Sequence, residues 1–231
     1  MNWAKKISII IPIGKGDKSW LDLLVDLKPI RKNAEIIFCG PETLNLPPEL
    51  KDFPNIRLLR SPLGRARQMN YAAERATRDV LWFLHSDSRF TPSTLSSLQA
   101  LFKRGIEGVH FFNLGFFDAP SMMAINTVGV WFRSNCLKLP FGDQGFVMQR
   151  TLFEKLGGFP ENAPYGEDHL LIWKAHEIGS SVLPIQGKLL TSARKYSTEG
   201  WWNTTRKHLY LTFSQGRQEL RRIVKAKKGF S

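Results

Sequence analysis

The sequence has 231 residues, of which 42% are hydrophobic and 12% aromatic, which excludes a disordered or fibrous protein. Its net charge of +13 predicts an anionic partner, such as a membrane surface, a nucleic acid or a phosphorylated ligand. No stretch has the roughly 20 consecutive apolar residues that a membrane-spanning helix needs. We therefore expect a single domain over residues 1–231.

The positive charge is concentrated at the end of the chain. Residues 194–231 carry a net charge of +8 out of the total of +13, since ten Lys or Arg accompany two Glu there. Trp202, Leu209 and Phe213 would share one face of a helix, so we predict a basic amphipathic helical segment over residues 201–231. Such a segment suits an anionic membrane surface, although a solvated helical face is the commoner meaning of a charge run. No nucleic-acid partner is expected, because no recognition motif is present.

The two cysteines, Cys39 and Cys136, are too few for a disulfide framework. We expect both to be buried thiols in a reducing compartment. The predicted location is therefore the cytoplasm, with peripheral attachment to the inner face of the cell membrane if the C-terminal segment binds lipid.

The first half of the chain alternates strand and helix patterns, which favours an α/β fold with a mostly parallel sheet. Short β-branched and aromatic runs predict the strands, and amphipathic stretches bounded by Gly, Pro or capping residues predict the helices. The predicted strands are 7–13, 35–39, 56–59, 80–84, 109–112 and 145–148. The predicted helices are 21–27, 64–77, 91–102, 151–156 and 167–178.

The turn His85-Ser86-Asp87-Ser88 follows the fourth predicted strand. Ligands of open α/β sheets bind beyond the carboxyl ends of the strands, so polar residues at this turn are well placed for a site. A divalent cation that neutralises a diphosphate takes oxygen ligands such as Asp87, and His85 could ligate or orient. Taken alone, the turn is explained more simply by Asp87 capping it.

A second acidic group, Glu167-Asp168, opens a predicted helix after the loop GGFPENAPYG. The helix dipole stabilises carboxylates at this position, and one of them could act as a general base toward an acceptor hydroxyl. Ordinary helix capping is the commoner role of an isolated Glu-Asp pair. Asp143, in FGDQG, is a third loop acid that could face the same cleft.

Taken in chain order, four segments resemble family 2 of the GT-A-fold glycosyltransferases. They are GRARQMNYAAERATRDVLWFLHSDS, FGDQGFVMQRTLFEKLGGFPE, YGEDHLLIWKAHEIG and LTSARKYSTEGWW. The sequence is most similar to small bacterial members, including those linked to arsenosugar biosynthesis. The resemblance implies a single Rossmann-like GT-A domain with a mostly parallel central sheet. It also implies inverting, metal-dependent transfer of a sugar, a hexose in the simplest case, from a UDP-sugar to a hydroxyl acceptor.

The resemblance implies a role for each matching residue. Asp87, together with His85, would bind Mn²⁺ or Mg²⁺, and Asp168 would be the catalytic base with Glu167 beside it. Asp143 would face the acceptor. The residues implied to contact the nucleotide-sugar are Pro12, Glu42, Arg65, Asn70, Asp87 and Arg194.

The sequence departs from the family pattern at two turns. After the second strand, Cys39-Gly40-Pro41-Glu42 replaces a D-D-G-S-like turn that grips the nucleoside, and Glu42 could substitute from a shifted position. After the first strand, Gly14-Lys15-Gly16-Asp17 replaces the usual Asn-Glu. Two functions therefore stay open, a glycosyltransferase and a degenerate nucleotide-sugar-binding protein without transferase activity.

Overall fold

The computed structural model describes residues 2–45, 50, 53–118, 123–193 and 216–217, with only the backbone of 123–125. The strands are β1 (Ile7–Pro12), β2 (Glu35–Gly40), β3 (Ile56–Arg60), β4 (Val80–Phe83), β5 (Arg89–Phe90), β6 (Val109–Phe116), β7 (Phe146–Gln149) and β8 (Val182–Thr191). The helices are α1 (Trp20–Leu27), α2 (Arg65–Arg75), α3 (Pro92–Arg104), α4 (Met123–Asn135), α5 (Arg150–Lys155) and α6 (Glu167–Glu177).

The strands form one sheet in the order β3-β2-β1-β4-β7-β6-β8-β5. Neighbouring strands among β3, β2, β1 and β4 are parallel, and so are β6 and β8. Strand β7 lies antiparallel between β4 and β6, and β5 is antiparallel to β8. Six of the eight strands therefore run in one direction, which confirms the predicted mostly parallel α/β architecture.

Strand β1 shows why the sheet is covered on both faces. Every residue of β1 is buried, as expected for a strand without a solvent face. Successive side chains point to opposite faces, so Ile9 and Ile11 pack with α1 and α3, whereas Ile10 packs with α2, α5 and α6. The fold therefore has three layers, with a hydrophobic core on each side of the sheet.

The parallel strands bring the predicted polar turns to one edge. Strands β1, β3 and β4 end at this edge, where they lead into the loop 14–19, the start of α2 and the turn 85–88. Strand β7 runs the other way, so the residues before it, including Asp143, reach the same edge. Residues far apart in the sequence thus assemble beyond the carboxyl ends of the strands, where α/β folds bind ligands.

Most predicted elements are confirmed to within two residues at each end, but α4, β5 and β8 were not predicted. The prediction of two buried thiols is wrong for Cys136, which is exposed, whereas Cys39 is buried. The predicted C-terminal segment 201–231 lies outside the described residues, apart from Gly216 and Arg217. Within the described part of the chain, no helix is both long and apolar enough to cross a membrane.

Candidate active site

Arg65, the first residue of α2, joins three of the predicted site residues. Its Nε donates to Oε1 of Glu167 at 2.5 Å, and its Nη2 lies 3.5 Å from Oδ2 of Asp168. Its Nη1 lies 3.0 Å from Nε2 of His85, so the tautomer of His85 with a free Nε2 lone pair can accept from the guanidinium. One cation thus connects the start of α2, the turn after β4 and the start of α6.

Asp168 is held as a carboxylate by its surroundings. Its Oδ2 accepts the Gly142 N–H at 2.6 Å, and its Oδ1 accepts the His169 N–H at 2.9 Å. Burial by itself raises the pKa of Asp168, but Arg65, the Gly142 N–H, His85 and the His169 N–H outweigh burial and hold the pKa below its ordinary value. Asp168 is therefore ionised at neutral pH, as a general base must be before it acts.

Asp143 lies in the turn before β7 and has the opposite electrostatic character. Burial, reinforced by Asp168 and Asp87 and opposed by Arg133 and Arg65, raises its pKa to about 6. Its Oδ1 is covered and has no hydrogen-bond partner among the described residues. A buried carboxylate oxygen without a donor calls for a cation or a hydroxyl from a ligand.

Gln144 holds the turn that presents Asp143, and no role was predicted for it. Its side chain is fully buried, and its Nε2 donates to the Phe112 carbonyl at 3.0 Å. Its Oε1 accepts from the Ser134 hydroxyl at 2.7 Å and from the Phe141 N–H at 3.1 Å. Gln144 thus links the turn to β6 and α4. The only sequence signal was a polar residue between Asp143 and Gly145, ahead of an apolar run.

The carboxylates fit a divalent cation that also binds a ligand. Within the described residues, no group of three or more His, Cys, Asp or Glu side chains is arranged to hold a metal by itself. Asp87 and Asp143 are close enough to interact electrostatically, and the unpartnered oxygen of Asp143 is a hard ligand of the kind that Mg²⁺ and Mn²⁺ prefer. Mg²⁺ commonly takes one or two protein carboxylates and completes its shell with substrate phosphates and water.

Two clefts lie at this edge of the sheet. The larger, of about 720 Å³, contains Asp87 and the loop between β1 and α1; it is lined by Lys15, Gly16, Asp17, Lys18, Ser19, Asp22, Asp87, Arg89, Phe117 and Ser192. The smaller, of about 240 Å³, lies at the start of α2; it is lined by Leu63, Gly64, Arg65, Ala66, Arg67, Glu161, Ala163, Pro164 and Glu167. The turn after β4 serves both clefts, because Asp87 lines the first and His85 contacts Arg65 in the second.

Asp17 organises the loop that lines the larger cleft. Its carboxylate accepts the Ser19 N–H at 2.9 Å, the Ser19 hydroxyl at 2.6 Å and the Ser86 hydroxyl at 2.5 Å. These bonds connect the loop after β1 to the turn that carries Asp87. The segment GKGDKS does not fit a phosphate-loop motif, and its aspartate acts in this structure as a link between two loops.

The remaining predicted nucleotide-binding residues lie in different environments. Pro12 ends β1 opposite Cys39. Asn70 accepts the Phe159 N–H at 2.9 Å and donates to the Phe159 carbonyl and to Glu161, so it holds the loop before α6. The Glu42 side chain is 81% exposed and lies 3.8 Å from Arg60. Arg194 falls outside the described residues. The nucleotide-binding roles of these residues stay predictions.

The sequence was compared with the profiles of known protein families and with curated protein sequences. The sequence profile described as "Glycosyl transferase family 2" matches residues 8–134, which is more than half of the chain. The chain belongs to glycosyl transferase family 2. No curated protein sequence matches it.

Solved structures support the same fold. One is the mannosyltransferase PcManGT from Pyrobaculum calidifontis, in complex with GDP-Man and Mn²⁺, which is 16% identical in sequence and superposes with a TM-score of 0.67. The match covers 92% of this chain and 64% of the PcManGT chain. Another is residues 1–349 of TarS from S. aureus, with 15% sequence identity and a TM-score of 0.62. This match covers 81% of this chain and 60% of the TarS fragment. The same TarS fragment was also solved with UDP-GlcNAc, at 16% identity. The chain thus spans less than two thirds of the length of these neighbours, and the likeness supports the GT-A fold.

Proposed function

We propose that this family 2 chain is a metal-dependent, inverting glycosyltransferase that moves a sugar from a nucleoside-diphospho-sugar to a hydroxyl acceptor. The observation that carries the proposal is the ionised Asp168 at the start of α6, next to Asp143 and across Arg65 from His85. An ionised base, a second acid with an unpartnered oxygen and a fixed cation are the parts that such a displacement needs.

In the proposed reaction, Asp168 accepts the proton of the acceptor hydroxyl. The acceptor oxygen then forms a bond to the anomeric carbon from the side opposite the diphosphate. The bond between the anomeric carbon and the diphosphate oxygen breaks, and the diphosphate leaves with the electron pair. A divalent cation held by Asp87, with His85 beside it, would stabilise the negative charge on the departing diphosphate. Asp143 would orient the acceptor.

Arg65 would set the geometry before the reaction. Its contacts with Glu167 and His85 hold the start of α6 against the turn that carries Asp87. Positioning of this kind contributes to the rate because it replaces a bimolecular encounter by a fixed approach. Glu167 is about 100° from Asp168 around the helix axis, so the two carboxylates point in different directions. Glu167 accepts from Arg65 and therefore positions the guanidinium, whereas Asp168 accepts the proton of the acceptor.

The choice of donors and acceptors to test is based on a structural neighbour and on the sequence resemblance. A UDP-sugar is the first donor to test, and GDP-sugars belong in the same panel because PcManGT was solved with GDP-Man. Small hydroxyl-bearing molecules head the acceptor panel, because the sequence resembles family members linked to arsenosugar biosynthesis. The proposed setting is the cytoplasm, with the segment 201–231 at an anionic membrane surface.

The second candidate is a nucleotide-sugar-binding protein without transferase activity. The observation that favours it is the exposure of Glu42, which replaces an acid expected to grip the nucleoside. A wild-type protein that binds a nucleotide-sugar but neither transfers nor hydrolyses it across broad acceptor panels would establish this alternative.

We expect Asp87→Ala to remove the metal-dependent part of nucleotide binding. Titration calorimetry of UDP and GDP, with and without Mn²⁺, should show at least tenfold tighter binding with metal in the wild type. The Asp87→Ala protein should bind with the weaker affinity in both conditions, because the carboxylate that recruits the cation is missing.

Asp22→Ala is the matched control, since Asp22 lines the same cleft from α1. It removes an equal charge and should leave the metal-dependent gain in affinity intact. If Asp87→Ala keeps the full gain, Asp87 does not belong to the metal site. Failure of the wild type to bind any nucleoside diphosphate would contradict the proposed function itself.

We expect the C-terminal basic segment to contribute to binding of anionic vesicles, because each basic group near such a surface contributes on the order of 1 kcal/mol. A variant with four basic residues of the segment changed to glutamine should float markedly less with anionic liposomes. The changed residues are Arg221, Arg222, Lys225 and Lys227. The remaining binding should depend less on salt.

The control variant carries the same loss of charge at exposed lysines elsewhere on the domain. They are Lys5, Lys6, Lys28 and Lys32. Equal loss of flotation in both variants would show that only total charge matters. Equal binding of the wild type to neutral and anionic vesicles would rule out an electrostatic role of the segment.

A further inference from the structure

Helix α4 presents its apolar side to solvent. Val128, Trp131 and Phe132 are 67%, 51% and 54% exposed, and Leu137, just beyond the helix, is 54% exposed. The spacing of Val128, Trp131 and Phe132 puts them on one side of the helix, and we call this surface, with Leu137, the α4 face. Next to this side of the helix, Ser134 is buried and donates to Gln144, so α4 is attached to the domain by a polar contact. A surface helix normally has the reverse arrangement.

The segment of sequence that contains the α4 face has no negative charge. Residues 119–142 contain no Asp or Glu and carry Arg133 and Lys138. The exposed pair on α1, Leu21 and Val25, provides the contrast, because Asp22 and Asp26 lie beside it. An apolar helix whose own segment lacks carboxylates can approach an anionic partner without repulsion from that segment.

Two described points locate the most basic part of the chain relative to this region. Asp118, five residues before α4, accepts the Ser192 hydroxyl and the Ala193 N–H, both at 2.5 Å, where the chain leaves β8. At the other end, a Cβ on Gly216 would lie 3.7 Å from the Trp173 ring on α6.

Helix α6 is in turn joined to the loop that follows α4, because Nε2 of His176 lies 2.8 Å from the Lys138 carbonyl. The segment that carries +8 of the net charge of +13 therefore starts at the contact with Asp118, five residues before α4. Gly216, within this segment, lies beside α6, the helix that contacts the loop after α4.

We propose that the α4 face docks on an anionic lipid bilayer. A second copy of this chain carries the same net charge of +13, so two copies would repel each other, and the basic C-terminal segment would find no carboxylate on residues 119–142 to pair with. An anionic bilayer matches both properties at once, since it offers negative headgroups to the cations and an acyl boundary to the apolar side chains. Tryptophan and phenylalanine are well suited to that boundary.

Docking in this way would orient the candidate active site. Arg133 and Ser134 on α4 both donate to Oε1 of Gln144, the residue after Asp143. The guanidinium of Arg133 also lies 3.5 Å from the centre of the Phe141 ring. The helix and the turn that carries Asp143 therefore form one packed unit, so the bilayer would lie on the Asp143 side of the site.

The test uses the full-length protein and a double variant, Trp131→Ser with Phe132→Ser. Flotation with vesicles of phosphatidylcholine containing one third phosphatidylglycerol should show at least a tenfold loss of membrane partitioning relative to the wild type. The salt dependence of the remaining binding should persist, because the basic segment is unchanged. The matched control, Leu21→Ser with Val25→Ser, should partition like the wild type. All three proteins should share one thermal unfolding midpoint, since the changed side chains are exposed.

Three outcomes would overturn the proposal. The first is equal partitioning of the double variant and the wild type, or partitioning of neither. The second is a change from dimer to monomer in the double variant with vesicle binding unchanged, which would assign the α4 face to a second copy. The third is faster hydrogen exchange in residues 194–215 of the double variant with vesicle binding unchanged, which would assign it to the C-terminal segment. Nucleotide affinity, measured in parallel, reports separately on the proposed transferase function.

Discussion

Replacing Asp168 by asparagine is expected to lower turnover by roughly a hundredfold or more while nucleotide-sugar binding persists. Removal of a general base typically has an effect of this size. The carboxylate is ionised at neutral pH because Arg65 and two backbone N–H groups outweigh its burial, and an amide in the same place cannot accept the acceptor proton. Steady-state turnover and calorimetric donor binding, measured on the same preparations, provide the check.

The Asp168→Asn substitution also changes the hydrogen bonds around residue 168. Asp168 accepts hydrogen bonds from both Gly142 and His169, and asparagine has a single acceptor oxygen, so one of the two bonds is lost. Thermal unfolding of the variant therefore has to accompany the kinetics. A protein that is folded and binds donor but turns over slowly shows the loss of a base, whereas loss of donor binding shows a disturbed site.

Asp143→Asn is the discriminating comparison. With a pKa raised to about 6, Asp143 is closer to the optimum for proton transfer at neutral pH than the strongly stabilised Asp168. If Asp143→Asn loses a hundredfold in turnover and Asp168→Asn is close to wild type, the base is Asp143. If both lose turnover and only Asp143→Asn raises KM for the acceptor, the assignments proposed here hold.

Replacing Arg65 by glutamine is expected to destabilise the protein and to shift its pH dependence. The Glu167 and Asp168 side chains are only 12% and 9% exposed, so the loss of their shared cation leaves two nearly buried negative charges without a neutralising positive charge. Removing one partner of a fully buried ion pair lowers the free energy of unfolding of a protein by about 3–5 kcal/mol. Because the Arg65 side chain is 38% exposed and partly screened by water, we expect about 2 kcal/mol.

The pH dependence of this loss follows from the pKa of Asp168. In the wild type that pKa is held below its ordinary value, so Asp168 contributes stability above the pKa of the unfolded chain and loses this contribution as the pH falls through the folded pKa. Without Arg65, the group that lowers this pKa most, the pKa of Asp168 moves up. The difference in unfolding free energy between wild type and Arg65→Gln should therefore be largest near pH 7 and shrink as the pH falls towards 4. The acidic limb of kcat/KM should move to higher pH.

Arg67→Gln is the control for the Arg65 experiment. Arg67 lies on the same helix, is 49% exposed and contacts Glu161 at 3.5 Å, so it also loses an ion pair. An exposed pair of this kind contributes about 0–1 kcal/mol, and its loss should not depend on Asp168. A pH-independent stability loss in Arg65→Gln, or an equal loss in both variants, would contradict the coupling of Arg65 to Asp168.

The sequence was most informative where the local pattern and the tertiary environment agree. Strands β1, β2 and β4 are apolar on both faces, and their β-branched and aromatic runs predicted them. Thr91-Pro92 predicted the start of α3, where the structure shows a capping box. Four segments in chain order, which contain the acidic turns, were sufficient to suggest the family by resemblance.

The elements that the sequence did not predict depend on their neighbours. Strand β8 contains Pro184, Gln186, Gly187 and Lys188, which interrupt any alternating pattern, and its pairing with β6 changes register between Phe112 and Asn113. Helix α4 contains several β-branched residues and Gly129, which favour a helix weakly. Contacts with β6 and the bonds to Gln144 therefore determine its place in the fold.

The residue types at the site were readable from the sequence, but their partners were not. Away from the site, at the opposite edge of the sheet, Ser8, Arg57 and Thr77 likewise come together around the buried Glu35 only after β1, β2 and β3 pair. In the same way, Arg65 meets Glu167 across 102 residues of sequence. The sequence by itself determined the fold class, the family resemblance and the acidic turns, because these depend on local patterns and their order. Only the tertiary structure decided which carboxylate is ionised and which has a raised pKa, because burial and charge at a site are set by residues distant in the chain.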